Sequence, residues 1–327
     1  MPTYSIAIRT LGTGGDKYKA LLDSISKSSC LPKDVYVFIA EGYDLPNEQL
    51  GWEKFVYTRQ GMWHQRIYGI EYIASKSEVD YILVLDDDMS FNHDFAEKMI
   101  GWMHENQCDV CIPNVTNCVS APSVLPMFSV KNFMLSLLGG RIENHFLKKR
   151  IKIISTAGYM ANTALSCDVA PTESGPFNAF FIKADKVSLL NLKDEYWLDD
   201  TKYALPDDQV FFYKSYLSGL KQYWHLGVCA YHLDHGSSNP NRWTDAAYAS
   251  GRNFLIFWHR FLYKRSSFFR KCWLIIAMSY RVLMNLMYHF IVSIYKRNMS
   301  VFSSYKNGVK DGLSFLNSSN YKDLPLV

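Results

Sequence analysis

Three consecutive aspartates, Asp86, Asp87 and Asp88, directly follow a short apolar run. Clustered carboxylates repel one another unless water solvates them or a cation neutralises them. Hard divalent cations bind such oxygens, and the phosphates of a substrate commonly complete their coordination shell. The motif therefore predicts a metal and diphosphate site that uses Asp86 and Asp88, and the alternative is a solvated acidic loop.

A second acidic pair, Asp207 and Asp208, follows Pro206 at the start of a helix-like stretch. The functional interpretation is a general base that removes a proton from an acceptor hydroxyl. A helix N-terminus favours the ionised carboxylate, so it would keep this base deprotonated. The alternative is ordinary helix capping, for which aspartate is among the preferred residues.

Two histidines, His232 and His235, follow a later strand-like run. Either imidazole could join a metal shell, because neutral imidazole is a common metal ligand. The alternative for each is a hydrogen-bonded side chain at the end of a strand. The sequence leaves both histidines as candidates.

The elements that position these residues alternate between strand and helix patterns. Continuous apolar runs at 4–9, 35–40 and 81–85 predict buried strands, and apolar residues at helical spacing after Asp16 and over 67–74 predict helices. This alternation is typical of a doubly wound α/β fold, in which ligands bind beyond the carboxyl ends of the strands. The aspartates at 86–88 fall at such an end.

The later part of the chain is less regular. The patterns predict a helix over 130–138, strands over 177–183 and 228–233, and a helix that starts at Pro206 and ends near Gly219. After about Asn241 the chain becomes aromatic, basic and helical in pattern. A catalytic body followed by a helical tail is therefore expected.

Composition excludes several classes of protein. Hydrophobic residues make up 48% and charged residues 20%, which is typical of a globular protein with a large core, and a net charge of +4 gives no basis for nucleic-acid binding. The seven cysteines form no disulfide or zinc framework, and Cys108 and Cys111 are interpreted as buried apolar residues. The N-terminus lacks a signal-peptide pattern, so a cytoplasmic protein is expected.

Five places in the chain form an ordered series that resembles family 2 glycosyltransferases. They are the first strand and turn at 6–10, the glycine-containing stretch 60–66 that leads to Arg66, the aspartates 86–88, the segment 175–179, and the acidic pair 207–208 with Gly219 and the histidines beyond. The chain departs from the family pattern in three places. Arg9 and Thr10 stand in place of the commoner Pro-x-Tyr-Asn, Asp207 replaces a glutamate, and two histidines compete for the place of the late metal-side histidine.

The resemblance implies a fold class and a division of the chain. The fold would be α/β of the GT-A type, a mostly parallel mixed sheet flanked by helices, with a helical C-terminal extension. Residues 1–112 would form the nucleotide-sugar donor half and residues 113–240 the acceptor and catalytic half. Beyond the resemblance, the composition of residues 241–327 predicts a helical C-terminal region for which association with a membrane is one alternative.

The resemblance also implies an inverting, metal-dependent transfer of a sugar from a nucleotide sugar to a hydroxyl of a glycan or glycolipid. Asp88, assisted by Asp86 and by His232 or His235, would hold Mn²⁺ or Mg²⁺. Asp208, preceded by Asp207, would be the base. The donor-binding residues would be Arg9, Thr10, Glu41, Arg66, Asp86 and Asp87. Cell-surface polysaccharide assembly is the expected setting.

The tail contains an apolar stretch, 272–295, that is long enough to span a bilayer. Arg281, Asn285, His289 and Ser293 recur every four residues in it, and basic residues flank it on both sides. Three alternatives follow: an interfacial helix that keeps this polar stripe wet, a packed core or dimer helix, and a true span. The first would make the protein peripheral on the inner face of the membrane.

Two other functions are compatible with parts of the pattern. A sugar nucleotidyltransferase would use a glycine-rich signature after the first strand, which Gly12, Gly14, Gly15 and Lys17 only partly supply. A non-catalytic, membrane-peripheral binding protein with a decayed transferase fold is the other alternative. The intact aspartates at both functional positions argue against decay.

Overall fold

The computed structural model of the chain describes residues 2–13, 15–116, 151–162, 168–233 and 242–327. The helix predicted over 130–138 and the candidate His235 lie outside these residues. The chain forms two compact units. The first comprises Met1–Ala121, Leu165–Lys193 and Ser215–Gly236, and the second comprises Pro122–Ala164, Asp194–Lys214 and Ser237–Val327.

The described strands are numbered in chain order. They are β1 Tyr4–Thr10, β2 Val35–Ala40, β3 Lys54–Thr58, β4 Tyr81–Asp86, β5 Met89–Phe91, β6 Val110–Thr116, β7 Lys152–Ile154, β8 Met160–Asn162, β9 Val169–Pro171, β10 Ala179–Lys183 and β11 Gln222–His232.

The described α-helices are α1 Gly15–Ser26, α2 Met62–Lys76, α3 Phe95–Glu105, α4 Asp207–Leu217, α5 Arg242–Trp258, α6 Phe268–Tyr295, α7 Ser300–Asn317 and α8 Ser319–Lys322. Two 3₁₀ segments, Ala184–Leu190 and Leu192–Asp200, precede α4, and a π-helical turn, His259–Tyr263, follows α5.

The first unit is built on a nine-stranded mixed sheet with the order β3-β2-β1-β4-β10-β6-β11-β5, and β9 pairs with β11. The strands β3, β2, β1 and β4 are parallel, and β10 lies antiparallel between β4 and β6. All six residues of β2 and of β4 are buried, as expected for parallel strands that are covered on both faces.

Helices cover the sheet of the first unit through apolar residues at helical spacing. In α1 these are Tyr18, Leu21, Leu22 and Ile25, which join β1, β2 and β4 in the main core. The helix α2 lies so close to β2 that a Cβ atom added to Gly69 would come within 2.9 Å of the Phe38 ring. The predicted α/β class is therefore confirmed.

Three elements differ from the sequence prediction. The helix predicted over 67–74 begins earlier, at Met62, because Trp63 extends the buried series of Ile67, Ile70 and Ile73. The strand predicted over 228–233 begins at Gln222, and its pairing with β6 shifts register between His225 and Cys229. The edge strand β3 was not predicted, because only one of its five residues is fully buried.

The second unit contains a buried ionic cluster centred on Glu195, which is fully buried. Its carboxylate accepts hydrogen bonds from Lys214 Nζ at 2.7 Å, Trp197 Nε1 at 2.7 Å, and Arg260 Nε and Nη2 at 2.7 and 2.8 Å. Burial alone would raise the pKa of Glu195, but Lys214 and Arg260 outweigh it and hold the pKa below its ordinary value. The ionic cluster thus attaches the 3₁₀ segment Leu192–Asp200 to α4 and to the π-helical turn after α5.

The helix α6 is long and apolar enough to cross a membrane, and only 17% of its most apolar stretch is buried. The interfacial location of α6 stays a prediction, but the polar stripe that was expected to face water lies largely against the second unit. Arg281 is buried, donates to Ala157 O at 2.7 Å and lies 3.7 Å from the centroid of the Tyr159 ring. Asn285 donates to the Tyr159 hydroxyl at 3.2 Å, and Ser293 is buried.

The two units are interleaved along the chain, whereas the predicted segments 1–112, 113–240 and 241–327 follow one another. Residues 194–214 belong with the C-terminal helices and not with the strands that precede and follow them. The assignment of donor, acceptor and membrane roles to the three segments stays a prediction.

Candidate functional site

The carboxyl ends of β1 and β4 lie side by side in the first unit. Arg9 in β1 is the parallel register partner of Asp86 in β4. The acidic turn and the end of the first strand therefore meet at one edge of the sheet, as the sequence predicted. This edge is where open α/β sheets bind ligands.

Asp86 is held by two arginines. Arg66 Nη2 lies 2.8 Å from Asp86 Oδ2, and Arg9 Nε lies 3.2 Å from Asp86 Oδ1. Burial raises the pKa of Asp86, but the positive charges of Arg66 and Arg9 outweigh it, so the pKa lies below its usual value. Asp86 is thus an ionised carboxylate whose two oxygens both accept from arginine.

Arg66 reaches Asp86 from α2 across the face of an aromatic ring. Its guanidinium carbon lies 4.7 Å from the centroid of the Phe177 ring, and its side chain is 9% exposed. The stacking restricts the planar group, as is usual for arginine beside an aromatic face. The resemblance assigned Arg66 to the donor, and the structure brings it to the acidic turn.

Asp87 faces the turn that follows β1. Thr10 Oγ1 donates to Asp87 Oδ2 at 2.5 Å, and the backbone N–H of Gly12 donates to Thr10 Oγ1 at 2.9 Å. Burial raises the pKa of Asp87, against the lowering effect of the Thr10 hydrogen bond and of Arg9. Asp87 therefore anchors the turn after β1 to the acidic turn.

Asp88 pairs with a histidine from β11. His232 Nε2 lies 3.1 Å from Asp88 Oδ2, and the backbone N–H of Leu233 donates to Asp88 O at 2.8 Å. The antiparallel pairing of Met89 with His232 sets this approach. The other carboxylate oxygen, Asp88 Oδ1, is buried and has no hydrogen-bond partner among the described residues.

The buried oxygen of Asp88 that has no partner among the described residues would suit a divalent cation, with His232 beside it. Mg²⁺ commonly binds one or two protein ligands and completes its shell with water and substrate phosphates, so a buried carboxylate oxygen without a partner is a suitable ligand. Within the described ranges no group of three or more histidine, cysteine, aspartate or glutamate side chains could hold a metal. The assignment of Asp86 as a further ligand stays a prediction, with both of its oxygens accepting from arginine.

Glu41 follows the end of β2, the strand beside β1, and is exposed at the same edge of the sheet. Its backbone N–H donates to Thr58 O at 2.8 Å, and Gln60 Nε2 donates to Glu41 O at 2.9 Å. The predicted contact of Glu41 with a base stays a prediction.

Gln65 is a candidate that the sequence interpretation missed. It is 4% exposed, and its Nε2 has no hydrogen-bond partner among the described residues. With Arg9, Arg66 and Asp86 it lines a small, partly open cavity. Its position next to Arg66 in the sequence could have drawn attention to it, but a single glutamine at that position predicts no particular chemistry.

The segment 175–179 is tied to the acidic turn through the backbone. Asp86 N donates to Asn178 O at 3.0 Å, and Ala179 pairs with Leu85. A Cβ atom added to Gly175 would lie 2.3 Å from Cδ1 of Ile112, so this side chain would have to shift. The predicted acceptor-side role of this segment stays a prediction.

Asp207 and Asp208 belong to the second unit, at the first turn of α4. Asp207 is buried, and Asp208 Oδ1 accepts from the backbone N–H of Gln209 at 2.7 Å. The helix starts and ends as predicted, with Gly219 beyond it at a φ of 80°. The structure thus brings Arg9, Thr10, Arg66, Asp86, Asp87, Asp88 and His232 together in the first unit, and the base role of Asp208 stays a prediction.

Part of the chain is similar to a known protein family. Residues 47–162 match the model of glycosyl transferase family 2. The match covers about a third of the chain, so the similarity to glycosyl transferase family 2 concerns this segment. That segment contains Arg66 and all three aspartates of the acidic turn, and it confirms the resemblance predicted from the sequence. Arg9, Asp208 and His232 lie outside it.

No curated protein matches the chain. Among solved structures, one that is similar to this chain is the crystal structure of GalNAc-T7 with UDP, GalNAc and Mn²⁺. The two sequences are 12% identical, the TM-score is 0.49, and the matched region covers 80% of this chain and 50% of that chain. This chain therefore spans about half the length of that protein.

Proposed function

We propose that the protein transfers a sugar from a nucleotide-sugar donor to a hydroxyl group of a glycan or glycolipid acceptor, with inversion at the anomeric carbon. The single observation that carries this proposal is the acidic turn of the family 2 segment. Its aspartates meet Arg9, Arg66 and His232 at the ligand-binding edge of the sheet.

The charges at this edge suit a diphosphate. Asp86 is already paired with Arg66 and Arg9. These two positive charges reduce the repulsion between its carboxylate and an incoming phosphate. Asp88 keeps a buried oxygen without a partner among the described residues. A divalent cation, Mn²⁺ or Mg²⁺, held there by Asp88 and His232 would supply charge stabilisation to the leaving nucleoside diphosphate.

The proposed transfer is a single displacement. The acceptor oxygen forms a bond to the anomeric carbon as the bond from that carbon to the diphosphate oxygen breaks. The acceptor proton passes to the Asp208 carboxylate, and the nucleoside diphosphate leaves with the electron pair. The position of Asp208 at the N-terminus of α4 supports this role, because the helix dipole favours the ionised form that a base needs.

A thermal titration tests the donor site. The purified chain is melted with nucleoside diphosphates and nucleotide sugars, with and without Mn²⁺, because a ligand of the native state raises the melting temperature. We expect one nucleotide class to stabilise the protein only with Mn²⁺. Asp88→Ala should abolish this shift, whereas the matched control Asp185→Asn, at a side chain 70% exposed, should keep it.

A substitution at Asp208 tests the base. We expect Asp208→Asn to lower transfer at least 100-fold, a loss typical for removal of a general base, while the Mn²⁺-dependent donor shift is retained. Transfer is measured by release of nucleoside diphosphate with an acceptor panel. Equal loss of transfer and of donor binding would assign Asp208 a structural role instead.

The same samples separate the alternatives. Release of pyrophosphate from a nucleoside triphosphate and a sugar phosphate would indicate a nucleotidyltransferase. Metal-dependent nucleotide binding with no turnover on any acceptor would indicate a binding protein. Stabilisation by no nucleotide, in a sample that melts cooperatively, would contradict the proposed donor site.

A further inference from the structure

The outward face of α6 is largely apolar, with Ser279 as an exposed polar residue on it. A cluster of side chains at helical spacing is between 47% and 61% exposed, comprising Ile275, Ile276, Leu283, Met287, Ile291 and Ile294. Soluble proteins rarely expose a continuous apolar surface of this kind, and its presence marks an interaction site.

The polar stripe of α6 lies largely against the second unit. Arg281 is the single charged residue in 272–295 and is 4% exposed, bound to Ala157 O and stacked on Tyr159. The His289 ring lies 4.8 Å from the Tyr305 ring of α7. The helix therefore presents no charge on its outward face between Lys271 and Lys296.

Both ends of this apolar face are basic and aromatic. Arg265 and Arg270 are exposed at one end, and Lys296 and Arg297 are exposed at the other. Beside the first pair, Phe268 and Phe269 are 74% and 86% exposed, and Tyr295 at the far end is 87% exposed. Apolar and aromatic residues flanked by lysine and arginine match the boundary between acyl chains and anionic headgroups.

We infer that α6 docks lengthwise on the surface of an anionic lipid bilayer, with the apolar face in the acyl boundary and both basic ends at the headgroups of the same leaflet. This inference concerns the second unit alone and does not depend on the proposed sugar transfer.

The neighbours of α6 argue against a span. Arg281 is bound to Ala157 and Tyr159 of the same unit, and Phe290 packs on Phe302 of α7 with ring centroids 5.4 Å apart. A spanning α6 would carry these contacts into the hydrocarbon, together with the charged residues of α7, which include Lys306, Lys310 and Asp311. Charges at that depth are costly, whereas an interfacial helix leaves them in water.

The charges also argue against a second copy of the chain as the occupant. Because both ends of α6 are basic, any side-by-side pairing of two copies brings like charges together. An anionic bilayer offers the opposite charge at both ends and an apolar layer between them.

Vesicle flotation with the purified full chain tests the inference. We expect binding to vesicles of phosphatidylglycerol and phosphatidylcholine, weaker binding to phosphatidylcholine alone, and release by salt from the anionic vesicles. Leu283→Glu with Ile291→Glu should abolish binding to both compositions. The matched control Leu313→Glu, at a residue of α7 that is 51% exposed, should bind like the parent chain.

A second variant tests the basic ends. Arg270→Gln with Lys296→Gln should weaken binding to the anionic vesicles about 30-fold, on the basis of roughly 1 kcal/mol for each basic residue near such a surface, and should leave binding to neutral vesicles unchanged. Both side chains are exposed, so circular dichroism melts should match the parent chain.

Three results would overturn the inference. The first is absence of binding to either vesicle by a cooperatively folded chain. The second is a dimer in light scattering that Leu283→Glu with Ile291→Glu converts to a monomer, which would identify a second copy as the occupant. The third is retention in membranes after an alkaline carbonate wash, which would identify a span. Loss of sugar transfer alone would bear on the proposed function and not on this surface.

Discussion

Two carboxylates separated by one residue have different surroundings. Asp86 is closed in by Arg66 and Arg9, whereas Asp88 has one oxygen toward His232 and the other without a partner among the described residues. The arrangement around Asp86 stabilises the folded turn, whereas the arrangement around Asp88 leaves a carboxylate oxygen that can bind a ligand. The acidic motif thus combines a structural carboxylate with a candidate ligand.

Removal of Arg66 should destabilise the fold. Arg66→Met leaves the buried carboxylate of Asp86 with Arg9 alone, so we expect the free energy of unfolding to fall by about 2 to 3 kcal/mol. Urea denaturation measures the change. Lys98→Met, which breaks an exposed pair with Asp94, should change it by less than about 0.5 kcal/mol. If Arg66→Met lowered the free energy of unfolding by the same amount in an Asp86→Asn background, the Arg66–Asp86 pair would not be the cause.

Acid should destabilise the second unit through His259. Burial, aided by Lys264 and Lys271, lowers the pKa of His259 to about 4, and its Nδ1 lies 2.6 Å from the Tyr321 hydroxyl. Between its ordinary value near 6.5 and about 4, the unfolded chain binds a proton that the folded chain does not, so stability falls as the pH drops through this window.

The matched variant for this effect is His259→Gln, which cannot titrate. Between pH 7 and pH 4.5 we expect the free energy of unfolding of the parent chain to fall by about 1 to 2 kcal/mol more than that of the variant. This value is smaller than the full pKa shift would give, because the ring is partly exposed to solvent. Chemical denaturation at a series of pH values measures the difference. Parallel curves for the two proteins would show that His259 does not contribute.

At the level of single residues, the sequence predicted which side chains meet but not how they pair. The strand-end positions of Arg9, Asp86 and His232 followed from apolar runs that local spacing displays. The two arginines on Asp86 arrive from β1 and α2, at sequence separations of 77 and 20 residues. Such pairings depend on register and crossing geometry, which no local pattern contains.

Among the elements, α5 and α7 pack through glycines at very short range. A Cβ atom added to Gly308 would overlap the carbonyl group of Tyr248, and one added to Gly251 would lie 2.5 Å from Tyr305 O. Both neighbours are backbone atoms, so no side chain can rotate away. The two helices can approach this closely only because these positions lack side chains.

Gly308→Ala should therefore lower the free energy of unfolding by about 2 kcal/mol, even though alanine favours a helix more than glycine does. Gly101→Ala is the matched control, because a Cβ atom at this position of α3 meets nothing within 4 Å. We expect the control to gain about 0.5 to 1 kcal/mol. Thermal melts of both variants measure these changes. A Gly308→Ala variant that is more stable than the parent chain would show that α5 and α7 are not tightly packed at this position.

Element prediction succeeded where burial made the pattern strong. The strands β2 and β4 are wholly buried and apolar, and both were predicted within one residue. The edge strand β3 carries a largely exposed pattern, and the first half of β11 alternates around a register shift, so neither gave a clear apolar run. The helix α6 was located, but the direction of its polar stripe depended on contacts with residues 157–159.

For the molecule as a whole, the C-terminal helices are part of a folded unit and not an appended tail. Arg252 donates to Asp200 at 2.5 Å and to Trp197 O at 3.0 Å, and Arg260 binds Glu195. We expect a chain that ends at residue 240 to lose cooperative melting, because Glu195 would lose Arg260 and the unit would lose four of its helices. A sharp melt and a monomeric elution for this truncation would contradict the interleaved arrangement.

The interleaving also sets an order for folding during synthesis. The ribosome releases the chain from its N-terminus, so β11 can complete the first sheet while the C-terminal helices are still being made. Glu195 must wait for Arg260, which lies 65 residues further along the chain. Until then its carboxylate has only part of the positive charge that its burial requires. We expect nascent chains to acquire the sheet first and to close around Glu195 late.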